Sequence, residues 1–359
     1  RIAGITGSVG KTGTKAALAH GLAAQGFVHA SAKSHNNHWG VPLSLAQLPP
    51  TADFGVFEMG MNRAGEIARL TRQVRPHVAL ITAIAPAHIE FFESEAGIAR
   101  AKAEIFEGVE QGGTAVIVGD SPHTPLLRDA AEEAGIDQIV TFALDGPADW
   151  QATRITTDPG GSDLEASGPA GTFRFRIALA GRHWAKNALA LLAMAEALGA
   201  DVEAFADSLA DLDAEPGRGQ RHLVPVAGGG TVTLIDDAYN ANPASMRAAI
   251  EVLAMAPGRK LAALGAMKEL GAASAEMHRA LAEPLVAAGV ALVFTAGDEM
   301  QALDAALPQG LRGGHGTGAL DLVETVRTSL RDGDTLLVKG SLASGMGALV
   351  RALRAGEAG

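Results

Sequence analysis

The chain contains no cysteine. Disulfides and thiolate chemistry are thereby excluded, and the absence fits a reducing compartment. Also missing is any apolar run near the ~20 residues that a membrane-spanning helix needs. Positive charge is in deficit: 29 Lys and Arg against 40 Asp and Glu leave a net charge of −11. That balance argues against a nucleic-acid surface, where a basic face would be needed. An anionic ligand must therefore be held by a local cluster of Lys, Arg and N–H groups. The residues given show no internal repeat or low-complexity tract, and no signal peptide is expected. The chain opens on Arg1 rather than Met, directly at the first strand-like run, so an N-terminal portion is expected to precede it. What is present suits an enzyme with substantial cores: 359 residues, 47% of them hydrophobic. At roughly 150 residues per domain this length implies two or three domains.

Apolar strands alternate with helical patterns along the chain. Strands are expected over 2–6, 54–58, 78–83, 114–118 and 137–142, and helices near 11–25, 63–73, 94–108 and 123–134. Such alternation predicts a parallel sheet covered by helices. From Asp149 to Ile177 the texture changes to Gly/Ser/Thr-rich alternation, as in a small antiparallel hairpin set, and a long Ala/Leu helix follows over 183–198. Asp213-Ala214-Glu215-Pro216-Gly217-Arg218-Gly219 reads as a linker. Beyond it the alternation restarts, with strands over 231–235, 260–264, 291–295 and 335–338 and helices over 243–254, 274–288, 319–330 and 344–354. Asn242 as N-cap with Pro243 at the first helical position marks one helix start clearly. The expected fold class is α/β. Residues 1–213 are expected to form a domain with a mostly parallel sheet, which the Gly-rich loop Gly7–Thr12 marks as a P-loop ATPase domain, and 214–359 a Rossmann-like domain, with a cleft between them.

The most informative segment is Ile5-Thr6-Gly7-Ser8-Val9-Gly10-Lys11-Thr12. A glycine turn between a strand and a helix aims backbone N–H groups inward as an anion nest at a helix N-terminus. Its lysine meets the β/γ-phosphates and its threonine hydroxyl can ligate Mg²⁺. The strict pattern places a glycine where Ile5 stands, so this is a shorter T-G-S-x-G-K-T variant. Gly7, Ser8, Val9, Gly10, Lys11 and Thr12 are the expected ATP-phosphate contacts. Val56-Phe57-Glu58-Met59-Gly60 puts a carboxylate where a buried strand ends, the edge on which parallel sheets build their sites. There Glu58 can hold Mg²⁺. Pro86-Ala87-His88-Ile89-Glu90 follows the next strand to the same edge and makes His88 a candidate for a second metal. Lys102, in Ala101-Lys102-Ala103-Glu104-Ile105-Phe106, reads by default as solvated surface.

These motifs, with D-D-x-Y-N-A-N-P at 236–243, occur in an order that resembles the Mur ligase family. Within that family the chain is most similar to the branch that adds D-Ala-D-Ala to UDP-MurNAc-tripeptide. Asn36-Asn37-His38-Trp39-Gly40-Val41-Pro42-Leu43 and Val338-Lys339-Gly340-Ser341 match further stretches of that branch. The resemblance implies ATP, two Mg²⁺ sites, and a cytoplasmic, monomeric ligase of small-molecule substrates that lacks here the family's N-terminal nucleotide-binding domain. Such enzymes convert a substrate carboxylate to an acyl phosphate, which an amine then attacks. Carried over by position, Lys11 holds the β/γ-phosphates, Thr12 and Glu58 one Mg²⁺, and His88 the second. Lys102 matches the lysine that the family carbamylates, Asn187 an adenine-side asparagine, Arg218 an arginine that reaches the phosphates as the domains close, and Asp237 the ribose-binding aspartate. Tyr239 and Asn240 shape the same corner. Lys339 and Ser341 are candidates for the dipeptide carboxylate, and Asn36 and Asn37 for the nucleotide-sugar peptide or the γ-phosphate.

Three positions depart from the family pattern: Trp184 stands for the first Asn of H-N-x-x-N, Ala266 for an aspartate, and Leu342 for an arginine. They lie outside the phosphate and metal set: at Trp184 adenine is expected to stack on the indole instead, and the changes together bear on the identity of the amine substrate. Two other readings stay open at this point. One is another amide ligase of the same fold, such as a folylpolyglutamate synthase-like or secondary-metabolite enzyme. The other is a P-loop protein that binds or hydrolyses ATP without ligation.

Overall fold

The computed structural model describes residues 1–355 except 33, 87–91, 93 and 227. The chain divides into two compact units, Arg1–Leu212 and Asp213–Gly359. Among the described residues of the first, nine strands form one sheet: β1 (Ile2–Thr6), β2 (Val28–Ala30), β3 (Phe54–Glu58), β4 (Val78–Ile81), β5 (Thr114–Val118), β6 (Gln138–Ala143), β7 (Trp150–Asp158), β8 (Gly161–Gly168) and β9 (Gly171–Ile177). Their order is β2-β3-β1-β4-β5-β6-β7-β8-β9. Neighbours run parallel from β2 to β7 and antiparallel from β7 to β9. The short apolar strands β1, β3, β4 and β5 are buried nearly throughout, as strands covered on both faces must be. The Gly/Ser/Thr-rich segment extends this same sheet rather than making a separate one.

After β1 the chain builds β2 and β3 on one side, then crosses to β4 on the other. Ligands collect beyond the carboxyl ends of parallel strands at such a reversal. Helix Arg182–Leu198 packs across β4 to β8 with its Ala/Leu surface buried almost all round. The Trp150 indole N–H donates to Glu196 Oε2 at 2.9 Å and ties this helix to β7.

The second unit holds a six-stranded sheet of β10 (Gln220–Pro225), β11 (Thr231–Asp237), β12 (Lys260–Gly265), β13 (Val290–Ala296), β14 (Arg312–Gly316) and β15 (Thr335–Lys339), ordered β10-β11-β15-β12-β13-β14. Among the described residues only β10 and β11 pair antiparallel here. Alternate residues of β12 feed two cores: Ala262 and Leu264 face one with Leu285 and Leu337, while Leu261 and Ala263 face the other with Phe294 and Leu349. The expected helix 274–288 is two helices, Ser274–Arg279 and Ala282–Ala287. Pro284 explains the break, since it lacks the N–H and its ring crowds the carbonyl four residues back. Insertion of β15 between β11 and β12 makes a second reversal, with Asp237 and Lys339 at adjacent strand ends.

Candidate nucleotide and metal site

The loop after β1 is shaped by two glycines at positive φ, Gly7 (151°) and Gly10 (85°). Gly10 sits at the N-cap of helix Lys11–Ala23, with no side chain capping the helix and no acidic residue in its first turn. The N–H groups of the first turn and the positive end of the helix dipole favour an anion there. The loop is pinned to the segment after β4: Ser8 N donates to Ala83 O at 2.8 Å, Ser8 Oγ to Ala85 O at 2.9 Å, and Thr82 Oγ1 to Val9 O at 2.6 Å. Lys11 Nζ folds back onto Gly7 O at 2.7 Å. Asn187 lies against the turn, so a Cβ on Gly10 would approach its Nδ2 to 3.2 Å.

Glu58 ends β3 with its side chain 1% exposed. Oε1 accepts from Asn36 Nδ2 at 2.7 Å, while Oε2 is buried without a hydrogen-bond partner among the described residues. A Cβ on Gly60 would come within 2.9 Å of the Asn36 amide carbon, so glycine there permits the approach. Asn36 thus orients the carboxylate, whereas Asn37 Oδ1 accepts from the N–H groups of Trp39 (3.0 Å) and Gly40 (2.9 Å) at the start of helix Gly40–Ala46. Orphaned carboxylate oxygens suit a hard cation, which takes oxygen ligands. The residues present therefore fit Mg²⁺ through Glu58 Oε2, with Thr12, a buried residue of the helix that starts at Lys11, as the expected second donor. Among the described residues no three His, Asp or Glu side chains gather as a metal cluster. His88 lies outside the described residues.

Lys102 is among the largest fully buried side chains, 1% exposed on helix Glu95–Ala103 between Ala101 and Ala103. Burial, reinforced by the nearby Lys11 charge, holds its amine well below the usual lysine value. Its default reading as solvated surface is overturned: both flanking alanines turn inward with it.

In the second unit Lys339 Nζ donates to Asp237 Oδ2 at 2.7 Å and to Asn240 O at 2.9 Å. Burial pushes the Asp237 carboxyl up, against the pull of Lys339 and Arg218. The Arg218 guanidinium stands 4.3 Å over the Tyr239 ring, within cation–π range. The turn that carries it is tied to the end of β11 by Tyr239 N to Gly217 O at 3.0 Å and Gly219 N to Asp236 O at 2.8 Å. Asn240 Oδ1 accepts from Ala241 N at 2.9 Å. Ser341 is buried and its Oγ has no hydrogen-bond partner among the described residues.

Comparison with known proteins fits this architecture. The Mur ligase middle domain matches residues 5–195 and the Mur ligase, glutamate ligase domain residues 217–342. The chain belongs to the Mur ligase family. The UDP-N-acetylmuramoyl-tripeptide--D-alanyl-D-alanine ligase of Escherichia coli K12 is 36% identical over 99% of this chain and 77% of its own length. A crystal structure of MurF from Acinetobacter baumannii superposes with a TM-score of 0.89 at 30% identity, over 99% of this chain and 76% of that one. MurF ligase from Thermotoga maritima, solved in complex with ADP, gives 0.85 at 28% identity, over 99% and 79%.

Against the Mur ligase pattern, Trp184 packs its six-membered ring on the P-loop helix: a Cβ on Gly13 would meet Cη2 at 2.7 Å. Ala266 is buried beside Gly297, and Leu342 is 68% exposed. Two site neighbours escaped sequence reasoning. Lys15 is 4% exposed and stands 3.9 Å from Glu58 Oε2, and Ser31 bonds to both Lys15 and Glu58. The available signal was periodicity, since Lys15 shares the inward stripe of Leu18 and Leu22.

Proposed function

We propose that this Mur ligase forms the amide bond between UDP-MurNAc-tripeptide and D-Ala-D-Ala, with ATP converted to ADP and phosphate. The tripeptide carboxylate oxygen attacks the γ-phosphorus and the bond to the ADP oxygen breaks. The dipeptide amine then attacks the acyl carbon, phosphate departs and the amine loses a proton. Phosphate is the better leaving group, which is why activation precedes attack.

The observation that carries this reading is the buried Glu58 carboxylate, one oxygen fixed and the other orphaned, at the same sheet edge as an uncapped P-loop helix. Gly7 to Gly10 and Lys11 hold the phosphates, and Thr12 and Glu58 a first Mg²⁺. When bound, the metal neutralises charge on the transferring phosphoryl group. His88 and a carbamylated Lys102 serve a second Mg²⁺. Carbamylation needs an unprotonated amine, and the depressed Lys102 supplies one: its nitrogen bonds the carbon of CO₂ and releases a proton. Asn187, Arg218 and Asp237 bind the nucleotide, with Tyr239 and Asn240 supporting them and Ser341 facing the dipeptide. We place the enzyme in the cytoplasm, where ATP and nucleotide-linked precursors are made; no helix among the described residues is long and apolar enough to cross a membrane.

Phosphate release by the complete enzyme is the test. Strong release is expected only with the tripeptide nucleotide and the dipeptide both present. Release indifferent to either substrate would instead favour an ATP hydrolase.

A further inference from the structure

Lys15 follows Lys11 by one turn on helix Lys11–Ala23, facing inward and only 4% exposed. A lysine so removed from water needs acceptors and counter-charge close by. Its Nζ donates to Ser31 O at 2.6 Å and stands 3.9 Å from Glu58 Oε2. The second distance is too long for a hydrogen bond, yet Coulomb attraction at that range is strong where water is scarce. Ser31 joins the same knot: its N–H donates to Val56 O at 3.0 Å, and its Oγ accepts from Glu58 N at 3.3 Å. The two oxygens of Glu58 are therefore treated differently. Oε1 is fixed by Asn36 Nδ2 at 2.7 Å, whereas Oε2 has a nearby positive charge but no hydrogen-bond donor among the described residues.

We propose that Lys15 is a positioning residue, which holds the Glu58 carboxylate as its fixed counter-charge while standing off far enough to leave Oε2 open to a divalent cation. The inference rests on the reading of Glu58 as a metal ligand. An ammonium in hydrogen-bond contact would occupy the lone pairs that a cation needs, and a neutral side chain would leave a buried anion uncompensated. The bond to Ser31 O directs one of the three ammonium N–H groups to the residue that follows β2 rather than to the carboxylate, and so helps to hold Nζ at its distance.

The full chain is compared with Lys15→Met, Lys15→Arg, Glu58→Gln and the double variant Lys15→Met/Glu58→Gln. Urea unfolding without metal or nucleotide reads the pairing alone. Lys15→Met is expected to be less stable than the wild type, and the double variant to regain part of that loss. Mn²⁺ binding by electron paramagnetic resonance, with a non-hydrolysable ATP analogue, reads the metal. Lys15→Met is expected to weaken Mn²⁺ by about tenfold or more, the effect typical of removing a group that orients a ligand, and Lys15→Arg to restore most of it. Mn²⁺ affinity equal to wild type in Lys15→Met overturns the proposal, as does a Lys15→Arg variant no better than Lys15→Met. Unchanged Mn²⁺ affinity in Glu58→Gln overturns instead the reading of Glu58 as a ligand, whatever the unfolding data say. If Lys15→Met alone does not fold, the double variant carries the test: its folding supports the pairing, and its failure to fold overturns it.

Discussion

At the scale of single residues, Lys102 shows how far burial can move a side chain from its ordinary chemistry. The folded state holds the amine well below the unfolded value of 10.5, through desolvation first and the Lys11 charge second. At neutral pH the unfolded chain binds a proton at this position that the native chain does not favour, so the lysine costs stability there. Stability is regained as pH rises from the folded value toward 10.5. In CO₂-free buffer, Lys102→Met should therefore melt higher than wild type at pH 7, with the difference shrinking as pH rises toward the unfolded lysine value; a constant difference would refute the depressed amine. Wild type should give a carbamate carbon resonance with ¹³C-labelled CO₂, and the same variant should lack it. Lys339 makes the complementary point. Its ammonium is committed to Asp237 and Asn240 O, which leaves it a poor partner for a dipeptide carboxylate. Lys339→Ala should raise the KM for ATP by about tenfold, a loss of about 1.4 kcal/mol, and leave the dipeptide KM nearly unchanged. A rise confined to the dipeptide KM would return Lys339 to the acceptor site.

At the scale of elements, the strands around the P-loop were legible because apolar runs buried on both faces are short and sharply bounded: Ile2–Thr6, Phe54–Glu58 and Thr114–Val118 fall where the sequence puts them. Strand Arg312–Gly316, Arg-Gly-Gly-His-Gly, was not, because its backbone pairs with Val290–Ala296 without any apolar alternation to announce it. Strand Val28–Ala30 is too brief to carry a period. In the candidate site, the motifs single out Gly7 to Thr12 and Glu58 by type and position. The role of Asn36 and the inward turn of Lys102 depend on which face a loop or helix presents, and only packing decides that. Asn242 was legible on its own terms. It accepts from Ser245 N at 2.9 Å while Ser245 Oγ accepts from Asn242 N at 3.0 Å, a reciprocal cap at the start of helix Pro243–Ala254. Asn242→Ala should cost about 1 kcal/mol, read as a lower urea midpoint with an unchanged slope, and Asn242→Asp should recover most of it. An alanine variant as stable as wild type would show that the cap is dispensable.

At the scale of the molecule, the division near residue 213 follows from where hydrogen bonding closes. All nine strands of the first sheet precede Leu212, and all six of the second follow Asp213, so no sheet is cut between them. Each unit has its own apolar interior: Ile5, Leu80, Val116 and Leu191 in the first, Leu264, Phe294 and Leu337 in the second. Both lie in the range of about 50–250 residues over which a domain sustains its own core. Residues 1–212 expressed alone should therefore unfold in a single cooperative step, with calorimetric and van't Hoff enthalpies in agreement. The fragment keeps Lys11, Thr12, Glu58 and Asn187, so titration with magnesium and ATP should still release heat, and the release should vanish with Lys11→Ala. It lacks Arg218, Asp237 and Ser341, so it should form no amide product. A broad, non-cooperative transition would show that the first core depends on the second. A cooperative fragment that gives no heat with nucleotide would place the decisive phosphate contacts elsewhere than the loop after the first strand.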